Sequence, residues 1–156
     1  MGSKCTGDHY PTDLPMKILL AADGSEFTRK AARVLIKHAT AYRETPEIRV
    51  FHVVAPLPYP GVTRVVGKKV VDDYHREVAE EALAVATEEL ARAGLEFTTS
   101  WSVGNVADEI RACVKKQRID LVVAGSRGHG ALAGLALGSV ATKLLATLDV
   151  PVLVVR

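Results

Sequence analysis

Four residues in the stretch GSRGHGALAGLALGS, residues 125 to 139, have the types and spacing to cradle an anion. Gly125 and Gly128 enclose two residues, and Gly138 and Ser139 follow after nine more. Five of the chain's 12 glycines fall within these fifteen positions. Glycine gives up more backbone freedom on folding than any other residue, so this density implies positive φ angles or the close approach of another group to bare backbone. Backbone N–H groups of a tight turn at Gly125–Gly128 and of a helix beginning at Ser139 can converge on one phosphate or carboxylate, with the Ser139 hydroxyl as an extra donor. Such a cradle needs no lysine.

Other readings of the same glycines are distinguishable. A Walker loop requires a lysine after its last glycine, and Gly138 is followed directly by Ser139. Gly128, Gly130 and Ala133 spell a dinucleotide fingerprint, but the region about 20 positions on, where a ribose-binding acid belongs, is the apolar VPVLVV. Gly130, Gly134 and Gly138 stand four apart and would also serve as a small-residue stripe for close helix packing. That leaves Gly125, Gly128 and Ser139 unexplained.

Asp23, in LLAADGS, follows an apolar run and is either a ligand group or a helix cap shared with Ser25. His129 either reaches an anion or is solvated. His38 and His52 lie on apolar patterns and read as core or core-edge residues, and Cys113 reads as a small buried hydrophobe. No pair of histidines, with or without Cys113, has the spacing of a metal site.

These groups must be positioned by a scaffold, and its pattern is periodic. KILLAA (17–22), IRVFHVVA (48–55) and IDLVVAG (119–125) are short apolar runs of the kind that a strand buried on both faces requires. EFTTSWSV (96–103) alternates and is more polar, as at a sheet edge, and PVLVVR (151–156) supplies a fifth strand. Between them, residues 26–43 place Phe27, Ala31, Val34, Leu35, His38 and Tyr42 at helical spacing. A longer helix over 70–93 carries Val71, Tyr74, Val78, Ala82, Val85 and Leu90, with Gly94 as its stop. Asn105 caps a third helix with Val106, Ile110, Cys113 and Val114 inward, and a short helix covers 139–147. The cluster PLPYPG (56–61) ends the second strand, and 62–69 reads as an irregular loop bearing Arg64, Lys68 and Lys69.

Alternating strands and helices predict an α/β fold, a five-stranded parallel sheet of order 3-2-1-4-5 with helices on both faces. Ligands of such sheets bind beyond the carboxyl ends of the strands where the strand order reverses. Asp23 and the glycine segment, following strands one and four, belong to that rim.

Composition narrows the function classes. With 156 residues, 48% of them hydrophobic, the chain is expected to form one domain over 16–156, preceded by a polar, flexible N-terminal arm over 1–15. A net charge of +2, with basic residues dispersed, argues against a nucleic-acid partner. No apolar run reaches a membrane span, and the start lacks a secretory h-region, so a cytoplasmic location is expected. MGSKCT matches a loose pattern for lipidation of Gly2, which short matches meet by chance.

Gly-x-x-Gly, nine residues and Gly-Ser after the fourth strand, together with LLAADGS, HVV and PVLVV, resemble the ATP-binding type of the universal stress protein family over about residues 16–156. The resemblance implies a Rossmann-like domain, akin to adenine-nucleotide alpha hydrolases, that binds ATP, with or without Mg²⁺, at the rim. It implies Ala22 and Asp23 against the adenosine, Val53 beside the base, and Gly125, Arg127, Gly128, Gly138, Ser139 and Val140 around phosphates and ribose. It also points to a homodimer through the apolar edge strand 151–156, which must otherwise be covered. A regulatory stress-response module follows from it. The alternatives are slow ATP hydrolysis or nucleotidyl transfer, and an AMP-binding, cyclic-AMP-binding or ligand-free interaction protein. No catalytic residue is assigned, because no nucleophile is paired with an activating histidine and Arg127 is the one firm cation for phosphoryl chemistry.

Overall fold

The apolar runs become the strands of one parallel sheet in the computed structural model, which describes residues 15–42, 44–58, 61–129 and 137–156. The strands are β1 (Lys17–Ala21), β2 (Glu47–Val54), β3 (Phe97–Val103), β4 (Leu121–Gly125) and β5 (Val152–Val155), in the order β3-β2-β1-β4-β5. The expected order and parallel sense therefore hold. The helices are α1 (Glu26–Ala39), α2 (Val62–Val66), α3 (Lys68–Arg92), α4 (Val106–Gln117) and α5 (Ser139–Thr147).

Successive strand residues point to opposite faces, and the burial follows that alternation. Ile18, Leu20, Ile48, Val50 and Val123 pack with Ala31, Ala32 and Leu35 of α1 and Leu83, Ala86 and Leu90 of α3. Leu19, Phe51, Val53, Val122 and Ala124 pack with Ala107, Ile110 and Val114 of α4 and Leu144 of α5. Ile18, Leu19 and Leu20 are wholly enclosed, and each such side chain contributes about 1.5–3 kcal/mol by leaving water. Both faces of β1 are thus committed to core, which fixes where its carboxyl end emerges.

Helix ends follow from the local sequence. The Ser25 hydroxyl accepts from Thr28 N–H at 3.3 Å, and Asn105 Oδ1 accepts from Asp108 N–H at 3.4 Å, so each satisfies an orphan donor. Gly94, at φ +70°, turns the chain off α3, with Leu95 N–H donating to Leu90 O and Gly94 N–H to Ala91 O. The same pair of bonds ends α4, where Arg118 occupies the left-handed position at φ 53°.

Three expectations are corrected. α1 stops at Ala39, and His38 is exposed rather than core or core-edge. On α3 the buried stripe is Val71, His75, Ala79, Ala82, Leu83, Ala86, Glu89 and Leu90, while Tyr74 is exposed. Small residues won the inward face because the chain passes close by: a Cβ on Gly24 would lie 3.1 Å from Ala82 Cα. Finally, residues 62–66 form the short α2 where an irregular loop was expected. The arm before Pro15, including Gly2, and the positions Gly130 and Gly134 lie outside the described residues.

Candidate functional site

Beyond the carboxyl ends of β1 and β4 the sheet opens into a cleft of about 420 Å³. β1 and β4 are hydrogen-bonded neighbours, yet the chain leaves them toward opposite faces, into α1 and toward α5, so nothing in the sheet fills the gap between their ends. All nine residues singled out from the sequence line this cleft: Ala22, Asp23, Val53, Gly125, Arg127, Gly128, Gly138, Ser139 and Val140. Phe51 of β2 and Val106 and Ile110 of α4 complete an apolar floor that the sequence reading did not assign to the site.

Asp23 takes the capping part that its sequence position allowed, with one carboxylate oxygen. Its Oδ1 accepts from Ser25 N–H at 3.0 Å and from Thr28 Oγ1 at 2.7 Å, which closes the turn into α1. Its Oδ2 makes no hydrogen bond among the described residues and lies where a Cβ on Gly128 would overlap it. Capping therefore consumes one oxygen and leaves the other at the cleft.

The glycines differ in their physical reason. A Cβ on Gly125 would stand 2.6 Å from Phe27 Cβ, so this position is bare because α1 packs against it. Gly138 is at φ −75° and, among the described residues, its Cβ would meet nothing closer than 3.4 Å, so neither its conformation nor their packing demands glycine there. Gly138 N–H donates to Ser126 O, and the buried Ser126 donates its own N–H to Val155 O, both at 2.7 Å. Ser126 thus ties the turn after β4 to α5 and β5. Among the described residues no side chain caps the first turn of α5, whose N–H groups begin at Ser139 on the cleft wall.

The electrostatics are sparse. Asp23 is the single carboxylate of the lining, and Arg127 and the exposed His129 are its basic neighbours. The Arg127 guanidinium stands 5.9 Å from the Phe27 ring centroid, which holds it at the mouth. Among the described residues no group of three or more His, Cys, Asp or Glu could hold a metal. Cys113, on α4, is half-buried, and burial pushes its thiol above the usual range, against smaller opposing effects of Arg49 and Lys116. It is a poor nucleophile there.

His52, read from the sequence as a core or core-edge residue, also lines the cleft. It is nearly buried at the end of β2, and its Nδ1 lies 2.7 Å from Ala22 O. A carbonyl has no proton to give, so Nδ1 carries the hydrogen and donates. An imidazole within an apolar strand needs such a partner, which was the available signal.

A second hollow of about 380 Å³ lies at the opposite rim, under the start of β2 and β3. Lys17 and Arg49 face Glu47 and Glu96 there, with no single sign of charge. Among the described residues no helix is long and apolar enough to cross a membrane.

Comparison with known proteins places these features. The family model described as "Universal stress protein family" matches residues 16–156. A universal stress protein of Bacillus subtilis, YxiE, is 32% identical over 148 residues, covering 90% of this chain and 98% of that protein. Among solved structures, the universal stress protein UspA from Lactobacillus plantarum superposes with a TM-score of 0.75 at 21% identity, over 90% of this chain and 97% of that one. A universal stress protein from Archaeoglobus fulgidus, solved in complex with dAMP, gives 0.66 at 22% identity, over 90% and 98%. Two further matches are an Arabidopsis thaliana family protein with AMP bound (0.65, 17% identity, 90% and 91%) and a universal stress protein in complex with cAMP (0.64, 21% identity, 90% and 97%).

Proposed function

The chain belongs to the universal stress protein family, and on that premise we propose that it is a regulatory protein that binds an adenine nucleotide, ATP in the first instance, in the carboxyl-rim cleft. The observation that carries this reading is the convergence on one cleft of Asp23 Oδ2, the bare backbone at Gly128, Arg127 and the uncapped first turn of α5, over the apolar floor of Val53, Phe51 and Ile110. The floor suits a base and the helix terminus suits phosphate. Ala22, Asp23 and Val53 take the adenosine end, and Gly125, Arg127, Gly128, Gly138, Ser139 and Val140 the phosphates and ribose. Solved relatives in complex with AMP, dAMP and cAMP support the adenine class.

Asp23 is the one carboxylate of the lining, so Mg²⁺ would be held by the phosphates of ATP rather than by a protein cage, and would neutralise their charge. The protein acts as a homodimer through residues 151–156, in the cytoplasm, with occupancy of the cleft altering what the dimer contacts.

Mass spectrometry of ligand released from natively purified protein is expected to return an adenine nucleotide. Calorimetry with ATP and Mg²⁺, AMP and cyclic AMP then ranks the candidates. An empty protein that takes up none of them at millimolar concentration refutes the proposal. Multiple turnovers of ATP that vanish on substituting Asp23 or Arg127, with binding intact, would move the protein among the enzymes.

A further inference from the structure

The ladder between β1 and β2 stops one step early. The paired register runs from Lys17↔Glu47 to Ala21↔Phe51, and Ala22 N–H still donates to Phe51 O at 2.9 Å. Regular parallel pairing would next send Val53 N–H to Ala22 O. That bond is absent, and Ala22 O instead accepts from His52 Nδ1 at 2.7 Å.

The consequence falls on Val53. Along a strand, the backbone groups of alternate residues face opposite neighbours. Val54 faces β3, where its carbonyl accepts from Gly104 N–H at 3.0 Å, so Val53 directs its N–H and its C=O toward β1. β1 has ended there, and among the described residues neither group of Val53 has a ladder partner on that side. Val53 lines the cleft. It offers a donor and an acceptor side by side at the apolar floor, while both peptide groups of Ala22 are already satisfied.

We infer that His52 is a positioning residue for ligand binding: by holding the Ala22 carbonyl it halts the ladder and keeps the Val53 peptide edge open to a planar ligand edge carrying an acceptor beside a donor. His52 itself touches no ligand in this role. The inference deepens the nucleotide-binding reading and rests on it for its affinity arm alone.

Two measurements on the full chain test it. The first is amide hydrogen exchange at Val53 without ligand, which is expected to be fast in the wild type. In His52→Leu, Ala22 O is released to Val53 N–H, and the exchange is expected to slow by at least about tenfold as that bond forms. His52→Asn, whose side-chain amide nitrogen stands where Nδ1 stood, is expected to restore fast exchange. His52→Gln carries its amide one atom further, and takes the place of the leucine variant if that does not fold. The second is calorimetry with AMP: the leucine or glutamine variant is expected to lose about tenfold or more in affinity, the cost of one ligand hydrogen bond, and His52→Asn to recover most of it.

Val53 exchange that is already slow in the wild type, or that is unchanged in His52→Leu and His52→Gln, overturns the role of His52 whatever the ligand. So does AMP affinity that is equal in all variants. Wild-type protein that binds no nucleotide, with the exchange pattern as expected, sinks the nucleotide reading and leaves the positioning of Val53 standing.

Discussion

A methyl group added at Gly125 would meet Phe27 Cβ at 2.6 Å, whereas at Gly138 the nearest described atoms are Ser126 O and Arg127 Cα at 3.4 and 3.5 Å. Gly125→Ala is therefore expected to cost about 1–3 kcal/mol of stability through overpacking, read as a lower urea midpoint. Gly138→Ala is expected to leave that midpoint in place and, since Gly138 lines the cleft, to weaken the proposed nucleotide binding. Gly128→Val pushes on Asp23 Oδ2 and is expected to lower affinity at least about tenfold with the fold retained. Unchanged affinity in both Gly138→Ala and Gly128→Val would mean that neither glycine is kept bare for a ligand. The spacing of the motif was readable from the chain, but the reason for each glycine was not. Those reasons reside in Phe27 and Asp23, far away in sequence and adjacent only once β1 has paired with β4. The role of His52 was hidden likewise, since the letters HVV say that the residue is in a strand and not that its ring turns back to a neighbouring carbonyl.

Among the elements, α1 and α3 share an apolar core and are also bridged by a single carboxylate. Glu89, largely buried on α3, accepts from Arg33 Nε and Nη2 and from Arg29 Nη1, each at 3.1 Å, and from Arg92 Nη1 at 3.4 Å. Hydrogen bonding from Arg33 holds Glu89 below the usual carboxylate range, overcoming burial, with Arg29 and Arg92 adding to it. Its folded pKa thus lies below the unfolded one, so the stabilisation is complete above the ordinary glutamate value and is lost as pH falls through the folded value. Glu89→Gln is accordingly expected to lower the thermal midpoint at neutral pH, with the gap to wild type closing in acid. A gap independent of pH would assign the effect to packing. Sequence periodicity located α3 but rotated its face, since it ranked Tyr74 above His75 and could not weigh the close passage of Ala82 by Gly24. It missed α2 because VTRVV is built of β-branched residues, which are weak helix formers.

For the molecule as a whole, the sheet order leaves two open edges, β3 and β5. β3 carries Thr98, Thr99, Ser100 and Ser102, although Trp101 and Val103 are also exposed on it. β5 is apolar throughout, and its Leu153 is exposed, as are Val140 and Leu145 on the adjoining α5. Pairing through β5 is the better cover for such an edge. Sedimentation is expected to find a dimer that Leu153→Glu converts to monomer; dissociation by Trp101→Ser alone would place the interface at β3. The order β3-β2-β1-β4-β5 was legible because apolar runs alternate with helical patterns and crossovers have one hand. The same order has a consequence for biosynthesis. Ser126, which anchors the glycine turn, donates its N–H to Val155 O, so the cleft's wall is braced by β5, the last of the five strands in chain order. A nascent chain whose β1, β2 and β3 have already emerged and paired still lacks that brace until β5 follows.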